Sequence, residues 1–172
     1  MTAHNVFCRL GAKDLSALHP QLKENGVRLV GVGLEELGVE EFVEGQYFSG
    51  DLFIDLKQES YKEMNMKRHS YFSIWPSVFG KKGRDATSRA KTMSISGNLK
   101  GDGFLMGGTI VVNKGGTETL LQFKQDGPAD HVENSAILKA LGISGGDAAS
   151  PPPAADGDKP KVTCTEDVCT RS

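Results

Sequence analysis

Three observations predict an α/β fold. Helix-period and strand-like segments alternate through the first half of the chain, a hairpin with a glycine turn follows near residue 115, and one more helical stretch closes the ordered part. The strands that come first are separated by helical stretches, so they must run parallel; only the last pair is joined tightly enough to be antiparallel.

Each element has its own signal. Residues 7–25, FCRLGAKDLSALHPQLKEN, place Phe7, Leu10, Leu15, Leu18 and Leu22 at steps of three to five, the spacing of one helix face. Pro20 has no amide hydrogen, which predicts a kink or a split last turn. Asn25-Gly26 ends that helix, and VRLVGVG (27–33) reads as a strand buried on both faces. A second helix is expected over 34–44, with Leu37 and Phe42 inward and Glu35, Glu36, Glu40, Glu41 and Glu44 on a solvated face. DLFIDL (51–56) is the next strand, and KQESYKEM (57–64) opens a helix.

Residues 67–93 predict two helices about a turn at Gly80–Gly83. Phe72, Trp75 and Phe79 read there as helix packing, with an apolar wall for a fatty chain as the functional alternative. GGTIVVNKGGTETLLQFKQ gives strands over 108–113 and 117–124, joined by Asn113-Lys114-Gly115-Gly116, whose glycines supply positive φ. A closing helix spans 131–141 and stops at Gly142. From 144 to 172 the chain is rich in Gly, Ala, Pro and Asp, and is expected to be disordered. The domain is therefore 1–143 and the tail 144–172. This element order is that of the thioredoxin-like architecture, without the central strand that there leads into the first helix.

Composition narrows the function classes. Lys+Arg 20 against Asp+Glu 22 gives a formal charge of −2, which does not suit a nucleic-acid binder. No apolar run approaches the roughly 18 residues of a membrane span. The first residues lack the basic and apolar regions of a secretory signal, so the expected compartment is the cytosol. Three cysteines are too few for a disulfide scaffold, in keeping with reducing surroundings.

Cys8 is the candidate reactive residue, with Arg9 beside it as support for a thiolate. At the start of a helix, unpaired amides and the macrodipole favour an anion. A buried filler next to Phe7 is the other reading, and the residues alone leave both open. Cys164 and Cys169, in CTEDVC, read as exposed tail thiols that could also reach back to an oxidised Cys8; with no partnered Cys or His they fall short of a zinc site. His4, His19, His69 and His131 are scattered and read as surface or capping residues. GNLKGDG (97–103) lacks the order of a phosphate loop and reads as a plain loop, or as one lining a site.

The stretches GVRLVGVGLEELGVEEFVEGQYFSGDLFIDLKQESYKEM, ISGNLKGDGFLMGGTIVVNKGG and LLQFKQDGPAD, together with Cys8-Arg9, resemble the peroxiredoxin-like 2 family over Val6 to Ser144. The resemblance implies a thioredoxin-like fold and reduction of prostaglandin H2 and prostamide H2 to the F2α products. It implies no bound cofactor or metal; thioredoxin supplies the electrons, with NADPH as their ultimate source. The family's redox centre is C-x-x-C-R: the first thiolate attacks the endoperoxide and the second closes a disulfide. Cys8 and Arg9 match the second cysteine and the arginine, while Asn5 stands at the first-cysteine position. The strands that precede this motif in the family are missing here, so the fold is expected to be incomplete at its N-terminal side. A catalytically inactive thioredoxin-like isoform or fragment is the alternative that Asn5 raises.

Overall fold

The computed structural model describes residues 3, 5–70, 74, 76, 78–97, 104–144, 162–165 and 168–171. The chain opens with helix α1 (Val6–Ser16) and helix α2 (His19–Glu24), separated at Ala17 and Leu18. Pro20 sits in the first turn of α2, where a missing amide hydrogen costs nothing, so the proline starts a helix and thereby splits the predicted one. Strand β1 (Val30–Gly33), helix α3 (Val39–Glu44) and strand β2 (Asp51–Ile54) form a crossover unit. Its strands are parallel, with Val30 opposite Asp51 and Gly33 opposite Ile54.

Helix α4 (Glu59–Glu63) is short, and helix α5 (Lys81–Thr92) starts at Gly80. Gly83 is buried inside α5, so the chain turns before that helix and not across Gly80–Gly83. Strands β3 (Gly108–Val112) and β4 (Thr119–Lys124) make the predicted hairpin. Gly115 and Gly116 take φ of 100° and 71°, as its turn requires. Helix α6 (Asn134–Ala140) ends near Gly142, which is left-handed at φ 68°.

Among the described residues, three apolar clusters hold these elements together. Ala3 and Ala12 meet Val39, Phe42, Phe48 and Ile54, which joins α1 to α3 and β2. Phe7 and Leu10 meet Ala86, Ala90 and Ile95, which joins α1 to α5. Leu18 and Leu22 meet Val111, Ile137 and Leu138, which joins α2 to β3 and α6. Helix α1 thus packs on two sides, and Leu10 between them is fully buried.

Several expectations need correction. Strand β1 is buried on one face only: Gly31 and Gly33 are inward, whereas Val30 and Val32 are exposed. The second helix starts five residues late, at Val39, because Gly38 before it is left-handed; Leu37 therefore falls outside the helix and is 54% exposed. Phe79 is exposed rather than part of the core, while Phe72 and Trp75 lie outside the described residues. So do residues 98–103 of the GNLKGDG stretch. The expectation for the tail is not among these corrections: its described residues form two short strands, β5 (Val162–Thr165) and β6 (Val168–Arg171), that pair antiparallel with Cys164 opposite Cys169 in the register. The β-branched residues Val162, Thr163, Thr165, Val168 and Thr170 supply the strand propensity that the Gly/Pro composition of the wider tail masks.

The site depends most on the division of the sheet. Among the described residues, β1–β2 and β3–β4 are separate two-stranded sheets. Between them, over α1, α2 and α6, lies a cavity of about 430 Å³.

Candidate functional site

Asn5 organises the start of α1. Its backbone is extended at φ −72° and ψ 127°, its side-chain oxygen accepts from the Phe7 amide at 2.8 Å, and its carbonyl oxygen accepts from the Arg9 amide at 3.0 Å. This is an N-cap, which satisfies an amide that the helix itself leaves unpaired. Cys8 follows at the third helical position, is half-buried, and lines the cavity.

Arg9 turns inward and is 3% exposed. Its Nε donates to the Ala3 carbonyl oxygen at 2.7 Å, one Nη to the Ser96 carbonyl oxygen at 2.8 Å, and the other to Glu41 Oε2 at 3.1 Å. Its guanidinium carbon also lies 5.0 Å from the Tyr47 ring centre. These contacts tie the start of α1 to α3 and to the segment after α5, a structural role that the sequence did not suggest. Glu41 remains largely solvated, as predicted, yet it carries this pair.

Gly11 is one turn on from Cys8, so the two share a helix face. The imidazole of His131 lies on Gly11 and also lines the cavity. His131 is therefore not a surface residue. Gln125 Oε1 accepts from the Gly107 amide at 2.8 Å, which turns its Nε2 towards His131 Nδ1, 2.9 Å away. Nδ1 is then the acceptor and the ring proton belongs on Nε2. Nε2 is buried without a hydrogen-bond partner among the described residues. Burial pushes the imidazole below its ordinary value; Asp14, the Phe7 carbonyl and Asp130 pull the other way and do not prevail, so the ring is neutral near pH 7. A sequence signal for this contact did exist: a glycine at an inward helix position marks a close approach.

The cavity wall is mostly aliphatic. Leu15, Leu18, Leu22, Ile137 and Leu141 come from the helices, and Val30, Val32, Ile110 and Val112 from the strands. It can hold an extended apolar molecule with a thiol and a neutral imidazole on the α1 wall.

Residues 14–127 match the family model described as AhpC/TSA antioxidant enzyme. The chain belongs to the AhpC/TSA antioxidant enzyme family. The family implies the thioredoxin-like fold, to which the parallel pair, the hairpin and the flanking helices conform. Three prostamide/prostaglandin F synthases are similar to it. The Homo sapiens protein is 48% identical over 151 residues, covering 88% of this chain and 76% of that one. The Salmo salar protein is 44% identical, covering 95% and 78%, and the Sus scrofa protein 45% identical, covering 96% and 78%. No solved structure matches. The chain is thus a member of a peroxiredoxin-like oxidoreductase family, and its family match starts beyond Cys8 and Arg9.

Proposed function

We propose that this chain reduces lipid endoperoxides of the prostaglandin H2 and prostamide H2 type to F2α diols, with Cys8 as its redox thiol and thioredoxin as electron donor. The observation that carries this reading is the placement of Cys8 on the wall of an aliphatic cleft in a chain 48% identical to a prostamide/prostaglandin F synthase. NADPH is the ultimate electron source, and the setting is the cytosol.

The chemistry balances with one protein thiol. The Cys8 sulfur attacks one peroxide oxygen; the O–O bond breaks, and the other oxygen leaves as an alkoxide that takes a proton. A thioredoxin thiolate then attacks the Cys8 sulfur, releases the second oxygen as an alcohol once protonated, and leaves a mixed disulfide. The second thioredoxin thiol restores Cys8. Two electrons and two protons pass from thioredoxin to the diol. His131, neutral and with a buried Nε2–H, offers a hydrogen bond to the oxygen that gains charge.

The second reading, an inactive isoform or fragment, is the one that Asn5 raises. Its side chain caps α1 at the position where the resembling family has its attacking cysteine, so the chain could retain the fold without the reaction. Purified protein assayed with thioredoxin, thioredoxin reductase, NADPH and prostaglandin H2 separates the two. Turnover that disappears in Cys8→Ser supports the reductase; no turnover above the protein-free rate supports the inactive reading.

A further inference from the structure

Cys164 and Cys169, which the proposed reaction does not use, are placed together by the backbone. Strands β5 and β6 pair antiparallel with Thr163 opposite Thr170, Cys164 opposite Cys169 and Thr165 opposite Val168. Opposite residues of a ladder share a face, so both cysteines belong to one face of the hairpin. Only Glu166 and Asp167 separate Thr165 from Val168 in the sequence. A two-residue connection closes on a hydrogen-bonded pair, and the two kinds of pair alternate along the ladder. Cys164 and Cys169 therefore occupy a non-hydrogen-bonded position, where opposite Cα atoms stand about 4.5 Å apart. A disulfide spans Cα separations of about 4.4–6.8 Å, so the register alone brings the pair within reach of one bond.

Two further features favour closure between these residues. The flanking pairs are β-branched, Thr163 with Thr170 and Thr165 with Val168, which supports the strand pairing on both sides of the cysteines. The bond would also close a loop of only six residues whose ends the ladder already holds, so little further chain entropy is lost. Cys8 belongs elsewhere in the fold. It sits on α1 and lines the cavity, whereas among the described residues β6 lies alongside β2 and pairs with β5.

We propose that the β5–β6 hairpin is a thiol–disulfide exchange site, at which Cys164 and Cys169 close a disulfide by reducing a small-molecule disulfide and are reopened by a dithiol. One cysteine, as its thiolate, attacks a sulfur of the small disulfide; that S–S bond breaks, and one small thiol leaves with a proton. The other cysteine gives up its proton and attacks the chain's sulfur in the mixed disulfide, and the second small thiol leaves protonated. The two cysteines have then lost two electrons and two protons, and the small disulfide has become two thiols. A dithiol runs the same exchange in reverse. This proposal does not depend on the endoperoxide reading, because Cys8 takes no part in it.

The test places the reduced full chain in buffers of glutathione and glutathione disulfide at pH 7.5, quenches by alkylation and reads the products by mass. Cleavage after Glu166 separates the two cysteines, so the fragments stay joined only through a Cys164–Cys169 bond. The parent and Cys8→Ser should both form that bond, and Cys164→Ser should stop at a glutathione adduct on Cys169. A double variant, Cys169→Ser with Thr170→Cys, moves one thiol by a single position and so to the other face of the hairpin. Its equilibrium constant for closure should be at least tenfold lower than the parent's. Equal closure by that variant would overturn the proposal, because the register would then play no part. Glutathione adducts on both cysteines of the parent, without closure, would overturn it as well. A bond from Cys8 to either tail cysteine would overturn it in favour of a tail that serves α1.

Discussion

The His131 ring lies so close to Gly11 that a methyl group there would stand 2.5 Å from Cε1 and 2.6 Å from Nδ1. Alanine in a helix is favoured over glycine by about 1 kcal/mol, whereas overpacking costs about 1–3 kcal/mol. The ring is also held by Gln125, so it does not move aside freely. Gly11→Ala should therefore lower stability by about 1 kcal/mol, measured by urea unfolding. In a His131→Ala background the same substitution should raise it, and that reversal of sign distinguishes the contact from a general effect on the helix.

Arg9 and Glu41 form an ion pair with unequal partners. Arg9 is 3% exposed and Glu41 is 65% exposed. Removing the solvated partner, as in Glu41→Gln, should cost less than about 1 kcal/mol. Arg9→Ala should cost about 3 kcal/mol or more, because it opens a cavity and leaves the Ala3 and Ser96 carbonyls without their donor. Arg9→Lys should recover only part of that loss, since an ammonium cannot reproduce the fork or its place over Tyr47. Thermal unfolding of the three variants orders them.

What could be read from the sequence was local. Asn113-Lys114-Gly115-Gly116 specifies its hairpin within a few residues, and the Leu10, Leu18 and Leu22 spacing specifies a buried helix face. The thiol at the start of α1 was legible for the same reason. His131 was not, because its contact with Gly11 joins residues 120 positions apart and exists only after α1 and the segment before α6 meet. The burial of Arg9 was not legible because a charged side chain is rarely buried without partners, and its partners come from three separate segments. Val30 and Val32 share their residue type with a fully buried strand; only the division of the sheet exposes them.

Asn5 couples stability to chemistry. Asn5→Ala removes the bond to the Phe7 amide and should cost about 1 kcal/mol, whereas Asn5→Asp keeps the cap and should cost little. Asn5→Cys places a second thiol three residues before Cys8 at the same helix start. It should lose the cap, and on mild oxidation it should lose the Cys8 thiol that the parent retains. If the endoperoxide reaction needs a dithiol, this variant should turn over prostaglandin H2 faster than the parent; an equal rate would place the second thiol on thioredoxin.

His131 also makes stability depend on pH, and the sign follows from its burial. Its folded value lies below the ordinary 6.5, so the unfolded chain binds a proton that the folded chain does not between those two values. The stability it contributes is complete above about pH 6.5 and is lost as the pH falls below it towards the folded value, at up to about 1.4 kcal/mol per pH unit for one proton. Asp130, where burial works against the lowering produced by the Lys82 hydrogen bond, and Asp55, lowered by the Ser60 hydroxyl, act in a separate window, around and below the ordinary 3.8. Urea unfolding at pH 7.5 and 5.5 should therefore show the parent less stable at pH 5.5. His131→Gln should narrow that difference, and an unchanged difference would mean that the ring takes up its proton without leaving Gly11.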